Sequence, residues 1–216
     1  MEACCTWCGM SWGCTSALGR RYVSQPPPKR RYRVEASGTT FTYVYCYRAA
    51  QRALAHAEQV EQGSFYFLMM AGVFAAFTVE AFLNHVGQEK VRDWKALEKK
   101  LGPWEKLLLL RQLRSWTADE DARPYRTLCI EMLRLRNGLA HGKTETVVHK
   151  REVTREPPDL EPWPEPQWKL LCAPSTVKRM VEDAGAIVRD LDKQSGGVGD
   201  PFASPGHGSG GIGLVE

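Results

Sequence analysis

The sequence predicts an all-α fold: a bundle of four or five helices with disordered ends and a minor β excursion late in the chain. Three observations predict it. Apolar residues recur at helical spacing through most of the middle of the chain. Glycines close these stretches at Gly63, Gly87, Gly102 and Gly142. Proline- and glycine-rich text is confined to the two ends and one loop.

The first helix carries Ala50, Ala53, Leu54, Ala57 and Val60 on one face and ends at Gly63. Ser64 is placed to cap the second, which runs to about Val86 and stops at Gly87. That helix is apolar nearly all round, so it should be the central, most buried one. Trp94, Leu97 and Leu101 form a short third helix. Pro103 suits the first turn of the next, which carries Leu107 to Leu110 and Leu113. Leu128, Met132, Leu135 and Leu139 make one long stripe from about Pro124. Beyond Gly142, Thr144, Thr146 and Val148 alternate with Glu145, Val147 and His149, the pattern of a strand or short hairpin arm. Five prolines between 156 and 166 impose an irregular loop. The last helix has the cleanest face: Val177, Met180, Val181, Ala184, Ile187, Val188 and Leu191. Short connections favour antiparallel neighbours.

The folded body is expected over 41–193. Residues 1–40 read as a Cys/Trp-rich start followed by a basic, proline-stiffened arm, with six basic and no acidic residues from Arg20 to Val34. Such an arm could touch RNA backbone or be a plain disordered tail. Residues 194–216 read as a disordered tail, since eight glycines lie between Ser195 and Gly213.

The chain has 216 residues, 43% hydrophobic and 25% charged, enough for one domain with a real core. A net charge of +4 is compatible with nucleic acid without pointing to it. Of seven cysteines, Cys4, Cys5, Cys8 and Cys14 crowd the start, while Cys46, Cys129 and Cys172 read as reduced, buried thiols, which fits a cytoplasmic protein. Cys5-x2-Cys8 is half a zinc site with no second pair or histidine at a usual spacing, so no metal and no cofactor is expected. The start lacks the pattern of a signal peptide. Phe65 to Val86 could be mistaken for a membrane span. A span needs about 20 apolar residues, and Glu80, Asn84 and His85 interrupt this one, so a buried helix and no membrane are expected. There is no P-loop, Rossmann glycine pattern, nucleophile elbow or His-Glu-x-x-His.

Leu135-Arg136-Asn137-Gly138-Leu139-Ala140-His141-Gly142 is the stretch that carries chemistry. A guanidinium matches phosphate oxygens, an imidazole can give or take a proton near neutral pH, and Asn137 both donates and accepts. Together they suffice for metal-independent RNA cleavage, because the ribose 2′-OH is the nucleophile. On one helix, Asn137 and His141 share a face, whereas Arg136 and His141 lie about 140° apart at about 100° per residue. Either the long arginine wraps back or a second copy of the helix completes the site across a two-fold axis. The same text also suits a helix end, with Gly142 as terminator and His141 at the negative pole of the dipole.

This stretch, extended to Lys143, resembles the signature of the HEPN superfamily: an arginine, then a polar residue, then a histidine four to six positions after the arginine. Ala76 to Asn84 is similar to the central helix of many bacterial HEPN-like proteins, and the helix order matches over roughly 45–193. The resemblance implies an up-down four-helix bundle that dimerises through the motif helices and cleaves RNA without metal. Many such proteins act in toxin–antitoxin or phage-defence systems, so an antitoxin protein is an implied partner. Carried over, Arg136 binds phosphate, His141 does acid–base work, and Asn137 positions the substrate or the histidine. Arg134, Lys143, Lys29, Arg30 and Arg31 are the expected RNA-binding cations. Glu80 and Asn84 are supporting residues, with Glu80 a paired carboxylate that holds Arg136 or Arg134. Inactive members that only bind RNA, nucleotides or proteins leave a non-catalytic, dimerising helical module as the alternative.

Overall fold

The computed structural model of the chain describes residues 31–115, 122–142 and 165–215, which are mostly helical with a small two-stranded antiparallel sheet. Residues 37–209 form one packed unit, and the described residues of a second unit are 31–36 and 210–215.

Within the first unit, helix α2 (Ser64–Lys90) is the axis on which the rest is built. Its buried positions are mostly small or apolar, Ala71, Gly72, Ala75, Ala76, Val79, Phe82 and Leu83 among them, so two other helices can approach it closely. One is α1 (Thr42–Ala57), which buries Tyr43, Val44, Tyr47, Ala50 and Ala53. The other is α8 (Pro174–Gln194), which buries all seven apolar residues that its periodicity selects. Ser64 does not cap α2: it is the first helical residue, and Gly63 holds the cap position at φ 81° with no side-chain bond. Nor does Gly87 end the helix. Trp94 of α3 (Trp94–Leu97) packs against that glycine, and α2 continues for three more residues.

By length and composition α2 could cross a membrane, but half of its most apolar window is buried inside the fold. The same helix leaves Tyr66 and Met70 exposed, with Phe74 and Phe77 in edge contact at 6.2 Å on the same side.

The motif lies on a composite rod: α5 (Arg123–Thr127), a π-helical turn (Leu128–Met132) and α6 (Leu133–Ala140). Leu128, Met132 and Leu135 are fully buried and anchor it. A Cβ at Gly72 would stand 2.5 Å from the Leu135 side chain and 3.3 Å from the Met180 sulfur, so only glycine lets α2 meet both the motif rod and α8. Gly72→Val should lower stability by about 1–3 kcal/mol through overpacking, read as a lower urea midpoint at unchanged slope. A short helix that the periodicity does not predict, α7 (Gln167–Leu170), lays Trp168 against Gly138 of the motif.

The ends depart from expectation. Residues 31–40 form β1 and residues 206–215 form β2, and the two pair. Glycines that look like an entropic cost in the sequence serve the pairing. At Gly206, φ is 150° and a Cβ would sit 2.1 Å from the Thr39 carbonyl. The stretch before β2 is also tied down. Phe202 is buried, stacked on Tyr47 at 4.0 Å, and Arg48 donates to the Phe202 and Ala203 carbonyls at 3.2 and 3.3 Å. The disordered tail expected over 194–216 is therefore corrected over its described length, as is 31–40 at the other end. The strand expected beyond Gly142, most of the proline loop and the early cysteines lie outside the described residues.

Of the later cysteines only Cys172 is fully buried; Cys46 and Cys129 are half-buried, and all three are free thiols. Burial pushes the Cys172 thiol up from 9.0 to about 11, against a smaller opposing pull from Lys169. The folded chain keeps a proton that the unfolded chain releases. That contribution is complete below pH 9.0 and is lost as pH rises through about 11. Stability should fall over this window more steeply in the parent protein than in Cys172→Ala, measured by urea midpoints at stepped pH.

Candidate functional site

Three helices converge on one carboxylate. Glu80 projects from α2, Lys106 from α4 (Pro103–Arg114) and Arg136 from α6. Lys106 Nζ donates to Glu80 Oε1 at 3.3 Å, and Arg136 Nη2 donates to Glu80 Oε2 at 3.2 Å. The carboxylate thus divides its two oxygens between two cations. Lys106 is only 2% exposed, whereas Glu80 and Arg136 retain 19% and 24% of their side-chain exposure. Two positive groups share one negative group, so the cluster keeps a formal surplus of one positive charge at its half-open edge.

Arg136 reaches further. Its Nη1 donates to Asn137 Oδ1 at 2.9 Å, which fixes the guanidinium plane between Glu80 inside and Asn137 outside. Its Nε is buried and lacks a partner among the described residues, as does Asn84 Oδ1, one turn beyond Glu80 on α2. A buried polar atom without a partner is costly, so both are places where a ligand or water could be held.

His141 stands at the end of the rod. Its peptide N–H closes the last turn onto the Asn137 carbonyl at 2.9 Å, and its own backbone leaves the helix at φ −116° and ψ 16°. The side chain is exposed and no described residue bonds it. The structure therefore brings Arg136, Asn137 and Glu80 together and presents His141 four residues on, at the open tip of the same rod. Arg134 is exposed on that rod. Lys143, Lys29 and Arg30 lie outside the described residues; Arg31 opens β1, with no side chain described.

Sequence reasoning missed Lys106. The signal was available: Lys106 and Leu110 are four apart and share a helical face, so a charge sits within the apolar stripe that also includes Leu107. A lysine there must find an anion, and Glu80 is the anion it finds. The run Leu107 to Leu110 is correspondingly less buried than it looks, with Leu108 and Leu113 exposed. Sequence reasoning also missed the ion pairs that brace the start of the rod against α8. Arg123 Nη2 donates to the fully buried Asp183 at 2.6 Å, and Arg179 grips Glu131 at 2.5 and 3.3 Å. Tyr125 donates to Asp190 at 2.8 Å, and burial together with that carboxylate pushes its phenol well up.

The π turn sits directly before the motif. It inserts one residue into the helical ladder and re-aims everything beyond it, a feature frequent at functional sites. Among the described residues no group of three or more His, Cys, Asp or Glu side chains is placed to hold a metal ion. Comparison with family models, with curated proteins and with solved structures finds no match to this chain.

Proposed function

We propose that this protein is a metal-independent endoribonuclease of the HEPN type, built on a helical bundle and working as a homodimer in the cytoplasm. The observation that carries the reading is the line Lys106–Glu80–Arg136–Asn137 ending at an exposed His141. It presents a rigid, permanent cation and a free imidazole on one helix end, the minimum that 2′-OH attack requires. The 2′-oxygen bonds to phosphorus, the bond from phosphorus to the 5′-oxygen breaks, and a 2′,3′-cyclic phosphate remains. Arg136 steadies the charge that builds on the non-bridging oxygens. His141 takes the 2′-OH proton or supplies the one the 5′-oxygen needs; across a two-fold axis, two His141 residues divide these tasks. The dimer of this reading forms through the motif helices, which would set two Arg136/His141 pairs along one shared cleft. A toxin or defence role, restrained by an antitoxin protein, fits an enzyme that would injure its own cell.

Cleavage in EDTA of a labelled cellular RNA, with a cyclic-phosphate product, is the direct test. No cleavage by the parent protein, or a protein that light scattering finds monomeric, would overturn the reading.

One observation favours a second reading, a non-catalytic module that dimerises and binds RNA or protein. Arg136 is already engaged by Glu80 and Asn137, as a purely structural arginine would be. In that case Arg136→Ala lowers stability or binding, and no RNA is turned over by any variant.

A further inference from the structure

Along α5 and the π turn, opposite α8, the rod borders a cavity of about 280 Å³ lined by Arg123, Arg126, Thr127, Ile130, Glu131 and Arg179. Its arginines differ in state. Arg179 is held by Glu131 through two hydrogen bonds, which fix its guanidinium plane, whereas Arg123 makes one bond to Asp183 and is otherwise exposed. Arg126 is exposed and has no partner among the described residues. Ile130, also exposed, adds an apolar wall.

This composition is selective. A cavity of such size, just below the usual range for small-molecule sites, takes one flat ring rather than a whole metabolite. The guanidinium plane of Arg179 offers a stacking face of the kind that holds unpaired bases, and Ile130 adds an apolar contact. An unengaged cation at the rim offers one phosphate contact. The site therefore suits a single unstacked nucleotide better than a duplex, whose bases are not available.

Its position ties it to the motif. Arg126, Ile130, Arg134, Asn137 and His141 are all exposed and follow one another along the rod at steps of four, four, three and four. Beyond the π turn, Arg134, Asn137 and His141 stay within roughly 60° of arc at about 100° per residue. Arg126 and Asn137 lie eleven residues apart on this rod, on either side of the π turn. A strand laid along this stripe meets Arg126, then Arg134, then the motif.

We propose that the Arg123–Arg126–Arg179 cavity is a subsite for a flanking nucleotide of single-stranded RNA, with the base against Ile130 and the braced Arg179 guanidinium and its phosphate on Arg126. The proposal deepens the nuclease reading and rests on RNA being the ligand of the same face.

The test uses the full chain carrying His141→Ala, so that RNA is bound without being cut. Anisotropy of a labelled oligouridylate is followed between about 50 and 200 mM salt. Arg126→Ala should weaken binding about fivefold to tenfold and reduce the salt slope by about 0.7, the signature of one lost phosphate contact on a single strand. Ile130→Ser should weaken binding by about threefold to fivefold with the slope unchanged, the signature of a lost apolar contact. Neither change should alter binding of a duplex of equal length. Arg126 bonds nothing described, so its loss leaves the fold intact, checked by an unchanged melting temperature. Equal affinity and slope in Arg126→Ala and its parent would overturn the subsite. So would an equal loss on duplex, or a parent that binds no RNA and captures only protein. Cleavage by the chain with His141 intact is scored separately. Cutting without any Arg126 effect removes the subsite and keeps the nuclease; Arg126-dependent binding without cutting does the reverse.

Discussion

His141→Ala is expected to reduce RNA cleavage by about 10²–10⁴-fold, the usual contribution of one positioned proton-transfer group, while leaving stability within about 0.5 kcal/mol. Both halves follow from where the residue sits. The imidazole is exposed and bonded by no described residue, so deleting it strands nothing. The contact that ends the helix is made by the peptide N–H, which alanine retains. A structural histidine would give the opposite pair of results, with lost stability and no lost turnover. Measuring melting temperature and initial cleavage rate on the same preparation separates the two. Expression in a host cell gives a parallel check: the parent protein should slow growth and the His141→Ala protein should not. Cleavage by the variant equal to that of the parent would remove His141 from the mechanism.

Glu80→Ala should have the largest effect on stability, about 3–5 kcal/mol, because removing one partner of a buried pair leaves an uncompensated charge. The stranded group is Lys106, which has almost no contact with solvent. Arg136 loses its inner anchor in the same step and keeps only Asn137. Cleavage should therefore fall even where the variant remains folded. The double variant Glu80→Ala with Lys106→Met tests this cause. It removes both charges of the buried pair and should be less destabilised than Glu80→Ala, with a coupling energy of about 0.5–3 kcal/mol in a double-mutant cycle. If Lys106→Met recovers nothing, the buried lysine is not what makes Glu80 indispensable to the fold.

The comparison of sequence with structure turns on particular residues. The faces of α8 and the motif rod could be read directly, because burial of a helix leaves a period that survives in the text. Glu80 could be read as a carboxylate in need of a partner, since an acid inside an apolar helix must be paired. Its choice of Arg136 together with Lys106 could not, because the three residues come from separate helices and meet only when those helices pack. The end strands were hidden for another reason. The pairing of β1 with β2 joins residues far apart in the chain through backbone hydrogen bonds, and glycine-rich text carries almost no side-chain signal for it. Phe202, a lone aromatic in that text, was passed over by the sequence reading, and the structure stacks it on Tyr47 at 4.0 Å.

By itself, the sequence determined that this protein is mostly helical, that α2 is its axis and that Arg136, Asn137 and His141 travel on one helix end. Each of these is a local property, set by the spacing of side chains along a single segment. Only the tertiary structure decided that Arg136 is clamped from within, that His141 is left open, and that three arginines surround a cavity further down the same rod. Those are properties of charge and space between segments, and they exist only once packing has excluded water and forced each buried charge to find its partner.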